Sequence, residues 1–355
     1  MPAMRWTVVV PGALLPAPIA ADVVGAVPVP ALTRLVAHAR TLAPQPAAPA
    51  CHGAAHWDWL WRRFGGRGDT PVTAPYAWRA LDDATLDAGS DGTLWQADPI
   101  HFSIARDHML AVPLVDDEAL DAGQTQALAA AADTEARAAG ARVQVVGGHW
   151  FLHVDRGWSL QTAPRDAVLG ESLTNLLPGG ADGLRWQRLL TAIQIAWHDH
   201  PVNAAREARG LRSVNGLWLH GGGSALALPA CGLAQVASDE AAVRGWALAA
   251  GVPATMVGPA ATELTQRADA LAVWPHLFLA RSAEAWHPWA QALAQFDDWL
   301  AAVAARAFDA GAAVELVLCG RRQSHALLLA RRDRWCAWRR TRLAAVLAEP
   351  PERAT

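Results

Sequence analysis

Two short clusters combine histidine with carboxylate side chains, the residue types that hold metal ions or move protons. His52 and His56 are four residues apart, so they would share one face of a helix, and Asp58 follows closely. The second cluster is the run His198-Asp199-His200. A zinc site needs three or four ligands in fixed geometry, so two histidines at helical spacing favour a surface or interface over a metal site.

A glycine-rich string, His220-Gly221-Gly222-Gly223, comes directly after a predicted strand at 217–219. In esterases such a string supplies backbone N–H groups to an oxyanion, but that chemistry also needs a G-x-S-x-G nucleophile turn. The chain contains no G-x-S-x-G, no G-x-G-x-x-G after a strand and no Walker A string. The string therefore predicts a tight glycine turn at the end of a strand, and an esterase is the third and weakest hypothesis.

The elements that must position these residues alternate between strands and helices. Trp6–Val10 is a short apolar run, rich in β-branched residues, that is typical of a buried strand. Further strands are predicted at 217–219, 233–237, 277–280 and 314–318. Helices are predicted at 186–197, 238–251 and 289–303. This alternation predicts an α/β fold with a mostly parallel sheet.

Residues 94–154 have a different pattern. Strands are predicted at 94–104, 109–113, 143–146 and 150–154. They flank a long alanine-rich helix at 116–139, which Gly140 ends. The acidic run Asp116-Asp117-Glu118 would lie in the first turn of this helix, where negative charge is favourable.

Composition excludes several functional classes. The 355 residues suggest two domains, and an apolar content of 52% excludes intrinsic disorder. The formal charge is −3, every basic residue is arginine and no basic stripe occurs, so no nucleic-acid partner is expected. No apolar run reaches the roughly 18 residues that a membrane span needs. Four cysteines without C-x-x-C spacing indicate a reducing compartment, so the predicted location is cytoplasmic.

The most specific motif is His200-Pro201-Val202-Asn203, which Arg206 follows before an apolar strand. The segment HPVNAAREARGLRSVNGLWLHGGG at 200–223 resembles archaeal-type cofactor-independent phosphoglycerate mutases, and it is closer still to bacterial RpfE-type regulatory proteins. Segments at 27–39, 97–112 and 238–263 resemble the same family in the same order. The resemblance implies an alkaline-phosphatase-like sheet sandwiched by helices. It assigns residues 1–66 and 211–355 to the core domain and residues 67–210 to an inserted α+β domain.

Active members of that family bind two divalent metals and pass a phosphoryl group through a serine. Here the aspartate of the first strand corresponds to Pro11-Gly12, and the serine corresponds to His52. The Asp-His pair after the last core strand corresponds to Gly320-Arg321. The resemblance therefore implies a phosphoglycerate-mutase-like protein that lacks most metal ligands and the nucleophilic serine.

The first hypothesis is a non-catalytic regulatory or binding protein without a cofactor. Its expected partner is a small phosphorylated or anionic ligand, or another protein, and neither nucleic acid nor a membrane is expected. The ligand would lie in a cleft between the core and the insert. The candidate lining residues are Arg106, Asp107, His153, His200, Asn203, Arg206 and His220.

The alternative hypothesis is a metal-dependent phosphomutase or phosphatase with rearranged ligands, acting on a small phosphorylated metabolite. His56 and His287 match family histidines, whereas Ala283 replaces an aspartate and Glu284 lies one position away. The candidate ligands for Mn or Zn are His52, His56, Asp58, Glu284 and His287.

Overall fold

The computed structural model describes residues 4–81, 92–105, 108–169, 172–173, 176–258, 264, 268–330, 333 and 342–349. The chain forms two compact units, one comprising Met1–Asp69 with Ala227–Thr355 and the other Thr70–Leu226. None of the helices in the described ranges is both long enough and apolar enough to cross a membrane.

The strands are β1 (Arg5–Val10), β2 (Leu15–Pro16), β3 (Arg40–Thr41), β4 (Gln45–Pro46), β5 (Thr93–Ala105), β6 (His108–Pro113), β7 (Ala141–Val146), β8 (His149–Val154), β9 (Gly216–Gly223), β10 (Gln235–Ala237), β11 (Ala254–Thr255), β12 (Ala270–Val273), β13 (Ala313–Cys319), β14 (Gln323–Leu329) and β15 (Ala348–Glu349). The helices are α1 (Ala17–Val24), α2 (Pro30–His38), α3 (Ala55–Arg63), α4 (Ala74–Leu81), α5 (Ala122–Ala138), α6 (Arg165–Val168), α7 (Gly183–His198), α8 (Pro201–Ala208), α9 (Ala241–Ala249), α10 (Phe278–Ser282), α11 (Trp286–Asp309) and α12 (Leu343–Val346).

The first unit is built on an eight-stranded sheet in the order β11-β10-β12-β1-β13-β14-β3, with β4 also paired to β14. The strands from β11 to β13 are parallel, and β14 is antiparallel to its neighbours. Val8 of β1 lies between Ala272 of β12 and Leu316 of β13. A separate parallel pair joins β15 to β2, so the segment near residue 349 lies beside the chain that leaves β1.

Both faces of this sheet are covered, as a parallel sheet requires. Val8 and Val10 of β1 belong to an apolar cluster with residues of α1, α2 and α11. Helices α3 and α9 pack against β14 and β10, and the Trp57 and Trp61 rings of α3 contact Trp246 of α9. Burial on both faces explains why β1 is apolar at consecutive positions.

The second unit is built on a five-stranded antiparallel sheet in the order β6-β5-β8-β7, with β9 also paired to β5. Helices α5 and α7 contribute to an apolar cluster with one face of this sheet, which includes Trp150, Trp186 and Trp197. One face of the sheet is therefore covered by an apolar cluster, and the other face carries the polar residues described below.

The predicted fold class is confirmed: a mostly parallel sheet between helices, interrupted in sequence by an α+β unit. The predicted domain boundaries were residues 66/67 and 210/211, whereas the units divide at 69/70 and 226/227. The second boundary differs because β9 hydrogen-bonds to β5 and so belongs to the antiparallel sheet.

Two predicted elements were wrong in position. The strand predicted at 277–280 is helical, since α10 begins at Phe278, and the strand of that region is β12 at Ala270–Val273. The long helix begins at Ala122 instead of 116, because Asp121 caps it and forms a capping box with Gln124. Asp116–Glu118 form a separate 3₁₀ turn.

Candidate functional site

The carboxyl edge of the parallel sheet is the place where open α/β sheets bind ligands. At the end of β1, Gly12 has a φ of +74°, and a Cβ there would lie 2.7 Å from the Cα of Phe278. The same Cβ would lie 3.0 Å from the carbonyl carbon of Leu277. The Trp289 indole N–H donates to the Gly12 carbonyl at 2.9 Å. The space beyond β1 is thus filled by the protein's own backbone and by an indole ring.

A carboxylate occupies the neighbouring position, at the end of β13. Oε1 of Glu349 accepts the backbone N–H groups of Arg321 and Arg322 at 2.8 and 2.9 Å. Nη2 of Arg281 lies 4.0 Å from Oε2 of Glu349, and Nε of Arg281 donates to the Leu14 carbonyl. A Cβ on Gly320 would lie 2.5 Å from Oε1 of Glu349, so the absence of a side chain at this position makes room for the carboxylate.

Among the described residues of this unit, two buried thiols are poor nucleophiles. Burial, reinforced by the negative charge of Asp58, raises the pKa of Cys51 to about 12. Burial, with a contribution from Glu349, also raises the pKa of Cys319 well above its ordinary value. Because the thiolate is the reactive form, both groups are protonated and unreactive near neutral pH.

The candidate metal ligands do not come together. His56 is buried against the rings of Trp57 and Phe278. Asp58 accepts a hydrogen bond from Nε of Arg62 at 2.9 Å. Nε2 of the His287 ring lies 3.0 Å from Nε2 of Gln291 at the surface. The remaining two candidates are His52, next to the 3₁₀ turn Pro49–Cys51, and Glu284, which has a φ of 52°.

Within the described ranges of the chain, no three histidine, cysteine or carboxylate residues form a group that could hold a metal ion. The second histidine cluster also forms no such group, because His198 is exposed and its Nε2 lies 3.9 Å from a carboxylate oxygen of the exposed Asp199. The convergence that shared metal ligation requires is therefore missing from this part of the molecule.

In the second unit, an acid–base pair lies on the sheet face opposite the apolar cluster that includes Trp150, Trp186 and Trp197. Nε2 of His220 in β9 lies 2.6 Å from Oδ2 of Asp98 in β5, and the carboxylate can only accept this hydrogen bond. Nη1 of Arg165 lies 3.8 Å from Oδ1 of Asp98, and Arg165 also pairs with Asp166 at 3.4 Å. Beside them, the Thr73 hydroxyl donates to Oε1 of Gln96.

The charges around Asp98 keep its carboxyl group ionised. Burial opposes ionisation, but the nearby positive charges of Arg165, His220 and His149 outweigh it and hold the pKa of Asp98 below its ordinary value. The site can therefore hold a charged carboxylate against an imidazole, which is the arrangement of a proton-accepting dyad.

We expect Asp98→Asn to lower the free energy of unfolding by about 2 kcal/mol at neutral pH, because it removes a hydrogen bond to a charged group. A carboxyl group whose pKa is lowered by folding stabilises the fold above its unfolded pKa of about 3.9, and this stabilisation is lost as the pH falls through the folded value. Urea unfolding of the wild type and of Asp98→Asn should therefore show a difference in free energy of unfolding that becomes smaller as the pH is lowered. Asp199→Asn removes a fully solvated carboxylate and serves as the control. A difference that is independent of pH would contradict the assignment.

The predicted glycine turn is instead part of a strand. Gly221, Gly222 and Gly223 lie within β9, where Gly223 pairs with Leu94 of β5 and the register shifts between this pair and the pair His220–Gln96. A Cβ on Gly222 would fall on the ring of Trp95, at about 2.1 Å, so the string permits close packing of this strand. These glycines therefore have a packing role, and without a G-x-S-x-G turn they give the esterase hypothesis no support.

His153 lies on β8 in a position that disfavours its charged form. Its Nδ1 faces Nη2 of Arg142 at 3.2 Å, and Nδ1 must accept because a guanidinium only donates. Its Nε2 is buried and has no partner among the described residues. Burial and the charge of Arg142 together lower the pKa of His153.

Three further candidates from the sequence form hydrogen bonds to backbone groups of the protein. Asn203 donates to the carbonyls of Trp197 and Val214 and accepts the Val214 N–H, each at 2.8 Å. Arg206 donates to the carbonyls of Arg212 and Glu118. His200 caps α8 by accepting the Val202 N–H. The last two candidates, Arg106 and Asp107, lie outside the described residues.

Sequence reasoning missed Asp98, Arg165, Arg281 and Glu349 as site residues. Asp98 gives one signal in the sequence, a carboxylate inside a predicted strand. Arg281 and Glu349 give no such signal, since they are far apart in the chain and meet only through the pairing of β15 with β2.

Comparisons with known proteins give a fold. No family model and no curated protein matches the chain. The PH0037 protein of Pyrococcus horikoshii is similar with a TM-score of 0.53 and 12% identity, over 92% of this chain and 87% of that one. A cofactor-independent phosphoglycerate mutase of Thermoplasma acidophilum DSM 1728 has a TM-score of 0.41 and 13% identity, over 93% and 90% of the two chains. The first likeness shows a shared fold alone, and the second is too distant to carry an argument.

Proposed function

We propose that this protein is a non-catalytic binding or regulatory protein on a phosphoglycerate-mutase-like scaffold. The observation that carries the proposal is the closure of the sheet edge beyond β1. There the backbone at Leu277 and Phe278 lies against Gly12, at the position where the resemblance expects a metal-binding aspartate. A carboxylate cannot be built at this position without moving the facing backbone.

The residues in this chain do not fit the two divalent metals that the resemblance implies. Gly12 and Gly320 offer no side-chain ligand atoms, and Asp58 already accepts a hydrogen bond from the Arg62 guanidinium. Metal-assisted phosphoryl transfer requires cations to neutralise the transferring group. We therefore derive no reaction step through a metal for this protein.

The nucleophile position gives independent support. His52 stands where the resemblance expects the serine, and the adjacent Cys51 thiol is held protonated by burial. A phosphoryl acceptor needs an activated oxygen, sulfur or nitrogen beside a base or a metal. This position therefore has no serine hydroxyl and its thiol neighbour is not activated, which supports binding without phosphoryl transfer through a serine.

The finer parts of the proposal follow from the resemblance and the composition. The ligand would be a small phosphorylated or anionic molecule, or the partner would be another protein. A relationship to RpfE-type regulatory proteins and a cytoplasmic location remain predictions from the sequence.

Metal content and phosphatase activity test the proposal directly. We expect purified protein to hold well under one equivalent of Mn²⁺ or Zn²⁺ by elemental analysis. We also expect no hydrolysis of an aryl phosphate in the presence of added Mn²⁺. The variant His287→Ala and its control Gln295→Ala, an exposed residue farther along the same helix, should both behave like the wild type. Two tightly bound ions together with turnover that His287→Ala reduces would refute the proposal and restore the metal-dependent alternative.

A further inference from the structure

We propose that the carboxyl end of β13 is an oxyanion-binding site, and that the chain fills this site with its own Glu349 carboxylate. An external oxyanion such as inorganic phosphate would compete with Glu349 for the same donors. The inference deepens the proposed function, on which it rests, by assigning a ligand chemistry and an internal competitor to the same edge of the sheet.

The donors of this site are fixed by the fold. The N–H groups of Arg321 and Arg322 converge on one carboxylate oxygen, at 2.8 and 2.9 Å. Both donors belong to the tight connection between β13 and β14, so they keep their direction whether or not Glu349 is present. Adjacent backbone N–H groups that point to one position form an anion-binding concavity of the kind that holds phosphate in many proteins.

A buried cation completes the site. The side chain of Arg281 is only 6% exposed, and its Nη2 faces the second oxygen of Glu349 at 4.0 Å. Its Nε donates to the Leu14 carbonyl, which orients the guanidinium. A buried guanidinium is strongly destabilising without a nearby negative charge. Glu349 supplies such a charge in this structure, and an external oxyanion could supply it at the same position.

The space for the anion depends on Gly320. A Cβ at this position would lie 2.5 to 2.8 Å from the carboxylate atoms of Glu349, so any other residue would obstruct the site. The backbone N–H groups of Arg321 and Arg322, the Arg281 guanidinium and the missing side chain of Gly320 thus form a cradle for an anion.

The internal occupant is attached by a short element. Glu349 belongs to β15, which pairs with β2 over the two positions Ala348 and Glu349, and the Leu15 N–H bonds to the Leu347 carbonyl. An exchange of anions requires only the Glu349 side chain to rotate away, while the buried Leu347 keeps the segment in place. Glu349 thus acts as an intramolecular competitor at a high effective concentration.

Removal of this competitor should reveal the site. We expect Glu349→Ala to bind inorganic phosphate with a Kd at least about tenfold lower than that of the wild type, measured by isothermal titration calorimetry, because the intramolecular carboxylate no longer competes. Acetate should bind the same variant more weakly than phosphate, since it carries less charge. The double variant Glu349→Ala/Arg281→Gln should lose the gain, and the control Glu207→Ala should leave phosphate binding unchanged.

Two measurements keep the outcomes separate. Glu349→Gln preserves the size of the side chain without its charge, and circular dichroism establishes that each variant is folded. If both folded Glu349 variants bind phosphate no better than the wild type, the inference is wrong while the proposed function stands. If phosphate binding appears only with Mn²⁺ and is abolished by EDTA, both the inference and the proposed function fail.

Discussion

Replacing Gly12 by alanine is expected to lower the free energy of unfolding by about 3 to 4 kcal/mol. Part of this loss comes from the left-handed backbone conformation, since Gly12 has a φ of +74°. The larger part comes from steric overlap, because the new Cβ would lie 2.7 Å from the Cα of Phe278 and neither backbone segment can rotate away. Urea denaturation followed by circular dichroism measures the loss.

A second glycine separates these two contributions. Gly251 has a φ of +73°, but a Cβ there would have no atom within 4 Å. Gly251→Ala should therefore cost only about 1 kcal/mol, the price of the backbone conformation alone. Equal losses for the two variants would mean that the edge beyond β1 is open and that the facing backbone does not close it.

The second large effect is expected at Asn203. Asn203→Ala should lower the free energy of unfolding by about 3 kcal/mol, because two carbonyls and one N–H lose their buried partner. Those groups belong to Trp197 and Val214, which the Asn203 amide joins across the end of α7. Chemical denaturation provides the measurement, and Gln187→Ala on the exposed side of α7 is the control, with a change within about 0.5 kcal/mol.

This result also decides what kind of residue Asn203 is. A side chain whose hydrogen-bonding groups are all used by the backbone is a structural residue, and its removal acts on stability. A ligand-binding residue would leave stability nearly unchanged and alter binding instead. A loss below about 1 kcal/mol would support the ligand role.

Strands and helices with strong patterns were predictable from the sequence. The run Trp6–Val10 predicts the strand correctly, because a strand buried on both faces is apolar at consecutive positions. The stripe from Trp289 to Val303 predicts the helix correctly, because a helix buried along one side is apolar at helical spacing. The strand at 277–280 was wrong because a short apolar run is compatible with either a buried strand or a helical turn. The region's actual strand, Ala270–Val273, is equally short and carries no stronger signal.

The candidate site was less predictable than the fold. His220 was identified from its glycine-rich string, but its partner Asp98 depends on the register between β9 and β5, which the sequence does not reveal. Arg281 and Glu349 are joined by a two-residue strand pair that has no periodicity. Tertiary pairing decides which polar groups meet, and local patterns carry little information about it.

Strand β5 is the central member of the sheet in the inserted unit. Its thirteen residues hydrogen-bond to three different strands: β8 near its start, β9 along its middle and β6 towards its end. Three of the four ladders of this sheet share β5, so detaching β5 would dissolve these three together and leave only the β7–β8 pair. We therefore expect insertions and deletions in this unit to be tolerated in its hairpin loops and to be destabilising within β5.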